Sequence, residues 1–172
     1  MRNLEAKFRL SDLAGAVSRA AKLGYTRRAI LNQRDTFFRV SNGKLKLREE
    51  NGGGALIHYR RDGSGPLMLS NYEIVNVSDP AKMAATLKEA LGVLAVVEKQ
   101  RVLMMRDNVR FHLDTVASLG AFGEIEAVIS DGDDPERSRA AVDSLLTALG
   151  IAPPDLIDVS YFELMLAAST SK

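Results

Sequence analysis

The chain has 172 residues, 46% hydrophobic and 26% charged, which suits a single domain over residues 1–172 with enough apolar material for a real core. Its 23 lysines and arginines nearly cancel 22 aspartates and glutamates, so no overall charge argues for nucleic acid or a membrane surface as partner. Cysteine is absent, which excludes disulfides and thiolate metal sites, and ten thinly spread Phe and Tyr residues give no stacking platform for single strands.

The first residues, Met1-Arg2-Asn3-Leu4-Glu5, carry no apolar signal, and no apolar run approaches the roughly 20 residues that cross a bilayer. A cytoplasmic location is the expectation. Asn3–Leu10 reads as a strand with Asn3, Glu5 and Lys7 on one face and Leu4, Ala6 and Phe8 on the other. Ser11 or Asp12 then caps a helix to about Leu23, stopped by Gly24. Gln33–Val40 and Lys44–Glu50 form a predicted hairpin across Ser41-Asn42-Gly43, since Asn-Gly favours a tight turn. Asn51-Gly52-Gly53-Gly54 turns the chain into the strand Ala55–Arg61, which puts Ile57, Tyr59 and Arg61 on one face. This glycine run is no phosphate loop: no Gly-Lys-Ser/Thr follows, and strands flank it.

Asp62–Pro66 is a loop, and a strand covers Met68–Val77. Ser78-Asp79-Pro80 starts a helix with a Met83, Leu87, Leu91 stripe that Gly92 ends. Strands follow at Ala95–Met105, Asn108–Val116 and Phe122–Ser130. Asp131-Gly132-Asp133-Asp134-Pro135 begins a third helix, with Val142, Leu145, Leu146 and Leu149 apolar; these aspartates lack the spacing and terminal Glu of a calcium loop. A short helix over Ser160–Ala167 closes the chain. The local turns favour an antiparallel sheet, and helices interrupt the strands too rarely for a doubly wound nucleotide-binding fold.

The organising pattern is ionic residues two apart on strand after strand: Glu5/Lys7, Lys46/Arg48, Lys99/Arg101, Arg110/His112/Asp114 and Glu124/Glu126. Alternation puts each set on one face, with Val109, Phe111 and Leu113 on the other to pack under helices. One such pair is ordinarily a solvated sheet face. Five or more in one domain give a barrel with a polar lumen, an α+β fold of eight antiparallel strands with helices packed outside. Counted with Arg61, seven inward cations (Lys7, Lys46, Arg48, Arg61, Lys99, Arg101, Arg110) face four carboxylates (Glu5, Asp114, Glu124, Glu126). Buried charges need partners. Excess cations suit a polyanion, and carboxylates suit Mg²⁺ or Mn²⁺, so a metal-bound triphosphate satisfies both sets. His112 reads as a hydrogen-bonded structural histidine, and Met104 and Met105 as core or strand filler.

Taken in order, the blocks resemble the CYTH superfamily, which includes class IV adenylyl cyclases and thiamine triphosphatases, and particularly its bacterial cyclase-like branch. Asn3-Leu4-Glu5-Ala6-Lys7 is similar to that family's Glu-x-Glu-x-Lys signature. Gln33–Phe38, Lys44–Glu49, Leu56–Arg61, Ser70–Glu73, Glu98–Arg101, Arg110–Asp114 and Leu119–Glu126 look like its later blocks. The resemblance implies a tunnel binding ATP or another triphosphate, with Glu5, Glu124 and Glu126 on a divalent metal. It implies Lys7, Lys46, Arg48, Lys99, Arg101 and Arg110 on phosphates, with Arg61 joining them. Lys7, Arg110 and Asp114 are the expected catalytic side chains, and Asp114 orients the cations or approaches the metal. Two departures stand out: Asn3 replaces the first glutamate, which weakens a metal role there, and Leu67-Met68-Leu69 stands where relatives carry a basic residue. The leading activity is conversion of ATP to cyclic AMP and pyrophosphate. The alternatives are hydrolysis of thiamine triphosphate, a nucleoside triphosphate or tripolyphosphate, and non-catalytic binding of nucleotide or polyphosphate. The resemblance permits a homodimer.

Overall fold

The computed structural model describes residues 2–62, 68–130 and 134–170, apart from the side chains of Arg2, Arg61, Asp62, Met68, Leu69, Ser169 and Thr170. Helices interrupt the eight strands at two points and two more follow the last strand: β1 (Arg2–Arg9), α1 (Leu13–Lys22), β2 (Thr26–Phe38), β3 (Lys44–Glu50), β4 (Gly53–Asp62), β5 (Met68–Val77), α2 (Pro80–Leu91), β6 (Val93–Arg106), β7 (Val109–Val116), β8 (Gly120–Ile129), α3 (Pro135–Leu149) and α4 (Tyr161–Thr170). The strands close into one antiparallel barrel in the order β1-β5-β4-β3-β2-β6-β7-β8. No described helix is long and apolar enough to cross a membrane.

Alternation explains the two surfaces of the barrel wall. Leu4, Ala6, Phe8, Val109, Phe111, Leu113, Ile125 and Ala127 point outward and pack with Ala16 and Ala20 of α1 and Val142, Leu145 and Leu149 of α3. These apolar side chains leave water while alternate residues such as Asn3, Glu5, Lys7, Arg110, His112, Glu124 and Glu126 face inward. Beneath α2, Phe38, Leu47 and Val77 meet Met83, Leu87 and Leu91. At one end of the barrel, Tyr161 and Phe162 of α4 pack on Phe37, Val97, Val116 and Phe122. Gly123 is required where β8 crosses Phe8, since a Cβ there would stand 2.3 Å from the Phe8 ring.

The helix starts follow the expected chemistry. Asp12, Asp79 and Asp134 accept the N–H groups of Gly15, Lys82 and Glu136, and Gly150 ends α3 at φ 73°. Asp131 and Asp133, expected at the start of α3, lie outside the described residues, as do Leu67 and most of the Asp62–Pro66 loop.

Two boundaries differ from expectation. β2 begins at Thr26, seven residues before Gln33, because Thr26–Leu31 pairs along β6 even though most of it is exposed and lacks apolar alternation. The two-residue turn belongs to Asn51-Gly52 (φ 51° and 80°) and not to Asn42-Gly43, where β2 and β3 are joined through residues 39–43.

Candidate functional site: the barrel lumen

Inward-facing residues of all eight strands line a cavity of about 490 Å³. Glu5, Lys7, Lys46, Arg48, Lys99, Arg101, Arg110, Glu124 and Glu126 all face it, so nine expected side chains from separate strands converge. Asp114 is fully buried behind Arg101 and does not line it. The Arg61 side chain lies outside the described residues.

One ion cluster centres on Asp35, 2% exposed, which is not among the expected site residues. Arg48 donates to both of its oxygens (2.7 and 2.8 Å), Lys46 to Oδ2 at 3.1 Å and Lys99 to Oδ2 at 2.9 Å. Burial alone would raise the Asp35 carboxyl; the three cations outweigh it and hold the group well below the usual carboxylate range. The same crowding acts oppositely on the lysines. Burial, then Arg48, pulls Lys46 down to about 7 against the attraction of Asp35, and burial brings Lys99 to about 8.

A second cluster joins β6, β7, β8 and α4. Arg101 forks onto Asp114 (2.7 and 2.6 Å) and reaches Glu124 at 2.8 Å; the Tyr161 hydroxyl donates to Asp114 at 2.9 Å. Burial opposes charge on the Arg101 guanidinium, yet Asp114 keeps it well above its ordinary value. Lys7 lies 3.4 Å from Glu124 and 4.6 Å from the centroid of the Tyr161 ring. Burial would raise Glu124, but Lys7, His112 and Arg101 hold it well below its ordinary value. Nearby, Arg110 pairs with Glu126 at 3.4 Å, Asn3 donates to Glu126, and the Tyr72 hydroxyl donates to Asn3.

Six cations and five carboxylates of the described residues face the cavity, and Asp114 makes the carboxylates six. Against the expected seven and four, Asp35 and Glu50 add two carboxylates, and the seventh cation, Arg61, has its side chain outside the described residues. Asp35 follows Leu31 and Gln33 and precedes Phe37 on the inward face of β2, so polarity does not alternate there and only the Arg48 register partner reveals its direction.

Among the described residues, three buried polar atoms on this cavity have no partner within hydrogen-bond distance: Gln33 Oε1, Ser70 Oγ and His112 Nδ1. His112, expected to be a hydrogen-bonded structural histidine, holds Nδ1 3.6 Å from Glu124 and Nε2 3.9 Å from Glu126; burial followed by Arg101 lowers its pKa, and the pull of Glu124 opposes them. Buried orphan groups are rare, and three on one cavity point to a site built for something polar.

Among the described residues no group of three or more His, Asp or Glu stands ready around a metal ion. Glu124 is turned to Lys7 and Arg101, and Glu126 to Arg110 and Asn3. The donor chemistry nevertheless fits: Glu5 and Glu126 are direct partners across the β1–β8 ladder, and paired carboxylates are hard oxygen ligands of the kind Mg²⁺ and Mn²⁺ prefer.

The family model described as CYTH domain matches residues 1–161. A protein of Methanocaldococcus jannaschii named "Putative adenylate cyclase MJ0240" is 28% identical over 174 residues, covering 95% of this chain and 98% of that protein. The PH1012 protein of Pyrococcus horikoshii superimposes with a TM-score of 0.84 at 25% identity, over 94% of this chain and 98% of its own. A Hippeastrum protein, described as "Putative adenylyl cyclase HpAC1" with "a dominant triphophatase activity", shares the fold at 16% identity, a TM-score of 0.66 and 96% coverage of each chain. These relatives do not assign the chain to a bacterial branch.

Proposed function

Starting from the fact that the chain belongs to the CYTH domain family, whose barrels are triphosphate tunnels, we propose that it is a metal-dependent enzyme acting on ATP inside the lumen, forming cyclic AMP and pyrophosphate. The observation that carries this reading is the convergence of lysines, arginines and carboxylates from opposite sides of one closed sheet on a single cavity.

The near balance of charge among the described residues supports a ligand that arrives together with a metal. A bare polyanion gains little where every cation already has a carboxylate, because binding must break those pairs. A triphosphate would exchange partners with these pairs: Lys46, Arg48, Lys99, Arg101, Lys7 and Arg110 would take its phosphate oxygens, and Glu5, Glu124 and Glu126 are the residues that would hold Mg²⁺ or Mn²⁺. When bound, the metal supplies charge neutralisation on the phosphate oxygens. The chain's own cations hold the leaving pyrophosphate in line and stabilise the charge that develops on it. In cyclisation the ribose 3′-oxygen bonds to the α-phosphorus, the bond from that phosphorus to the bridging oxygen of pyrophosphate breaks, and the hydroxyl proton passes to water. Lys7 and Arg110 contact substrate in this reading. Asp114, clamped by Arg101 and Tyr161, positions Arg101 and takes no proton.

That clamp also favours a second reading. With Asp114 held by Arg101 and Tyr161 it is not free to take the 3′-hydroxyl proton, and the same lumen serves equally when a water in line with the terminal phosphorus is the nucleophile. The second activity is therefore release of orthophosphate from a triphosphate.

Incubating the full chain with ATP or tripolyphosphate and Mg²⁺ or Mn²⁺, then resolving the products, tests both. Cyclic AMP with pyrophosphate supports the first reading and orthophosphate the second. Stabilisation by triphosphate and metal without turnover leaves a binding protein, and neither product nor stabilisation contradicts all three.

A further inference from the structure

A second cavity, of about 670 Å³, lies outside the barrel wall, where the segment after α1, the β6–β7 turn and α3 meet. The turn bends through Asp107 at φ 53°. It presents Asn108, whose Nδ2 donates to the Val128 carbonyl at 2.8 Å and to Ser138 Oγ at 3.0 Å, so α3 is held beside the turn. Tyr25 lines the same cavity. Its ring is in the core with Ala20, Val109 and Leu145, and the residue is only 4% exposed. The Tyr25 hydroxyl nevertheless has no hydrogen-bond partner among the described residues, where a buried tyrosine ordinarily finds one. Two further donors face this space unspent. Ser138 is buried and accepts from Asn108, but its own hydrogen has no acceptor among the described residues. Arg137 is exposed and has no ion-pair or hydrogen-bond partner among them. The acids on the rim are engaged: Asp134 caps α3 by accepting from Glu136 N at 3.0 Å, and Asp107 lies 3.8 Å from Arg106 Nε.

We propose that this cleft is a second binding site, for a small organic acid whose carboxylate or phosphate takes the Tyr25 and Ser138 hydroxyls and the Arg137 guanidinium. An ionised acid group is an acceptor, which matches three unspent donors, and the planar guanidinium fork suits carboxylate and phosphate alike. Half-buried Leu23 and Ala141 offer apolar surface to the body of the ligand. The volume lies within the range of small-molecule pockets, about 300–1,000 Å³. None of these residues lines the lumen, so the site stands whether or not a triphosphate binds in the barrel.

The test is calorimetry on the full chain, titrating benzoate and, separately, phenyl phosphate into wild type, Tyr25→Phe and Arg137→Gln. Acids this small are expected to bind in the millimolar range, and a hydrogen bond to a charged group is worth about tenfold or more in affinity. At least one acid should therefore bind wild type and weaken about tenfold in both variants. Benzoate doing so marks a carboxylate site, and phenyl phosphate a phosphate-ester site. No saturable binding of either acid overturns the proposal. Affinities that either variant leaves unchanged also overturn it, because the acid then sits elsewhere, the lumen included. Tyr25→Phe keeps the packed ring; Arg137 is exposed, so its variant alone decides the matter if Tyr25→Phe fails to fold.

Discussion

Glu5 on β1 and Glu126 on β8 are direct partners across an antiparallel ladder, two carboxylates brought side by side inside a closed barrel. Like charges directly opposite destabilise a sheet pair, and here Asn3 and Arg110 attend to Glu126. A divalent cation held by both carboxylates would relieve the repulsion. Replacing Glu126 by Gln removes one hard ligand and keeps the shape. The expected outcome is a folded barrel whose thermal midpoint no longer rises with Mg²⁺ or Mn²⁺ and whose turnover is lost. Differential scanning calorimetry with and without metal reads this, and a metal-dependent rise equal to wild type would remove Glu126 from the site.

Asp35 carries the counter-charge for Lys46, Arg48 and Lys99. Breaking a buried ion cluster by removing one partner strands the others, at a cost of about 3–5 kcal/mol. Asp35→Asn should therefore lower stability by about that amount in urea unfolding, and tripolyphosphate with Mg²⁺ should recover part of the loss by supplying the missing negative charge. A loss below about 1 kcal/mol would mean that the three cations do not depend on this carboxylate.

The lysines give a pH signature. Folding lowers Lys46 to about 7 and Lys99 to about 8, from an ordinary value of 10.5. Between those limits the unfolded chain holds more protons than the folded one, so this contribution to stability rises with pH across about 7 to 10.5 and is at its minimum below 7. Ligand binding has the opposite sign, because phosphate favours the charged amine. At pH 8, binding of a triphosphate should take up protons, seen as a buffer-dependent calorimetric enthalpy, and affinity should fall as pH rises from 7 to 9. Proton release at pH 8 would contradict the assignment.

The barrel was legible because ionic residues two apart recur on so many strands while Leu4, Phe8, Phe111 and Ile125 hold the alternate positions under helices. Nine of the expected site residues face the cavity for that reason. What escaped the reading was context. Asp35 shares its face of β2 with Phe37 and Leu31, so no polar stripe marks it. Thr26–Leu31 is fixed as strand by its ladder to β6, a long-range partner that local alternation does not reveal. Tyr161 reads as one aromatic in a terminal helix, and only the closing of the barrel brings its hydroxyl to Asp114, 47 positions earlier in the chain.

A crystal structure of the full chain with Mn²⁺ and a non-hydrolysable ATP analogue tests the central claim most directly. The account predicts the triphosphate inside the barrel against Arg48, Arg101 and Arg110, with an anomalous manganese peak between Glu5 and Glu126. Nucleotide on the outer surface, or manganese bound away from these two carboxylates, would contradict it.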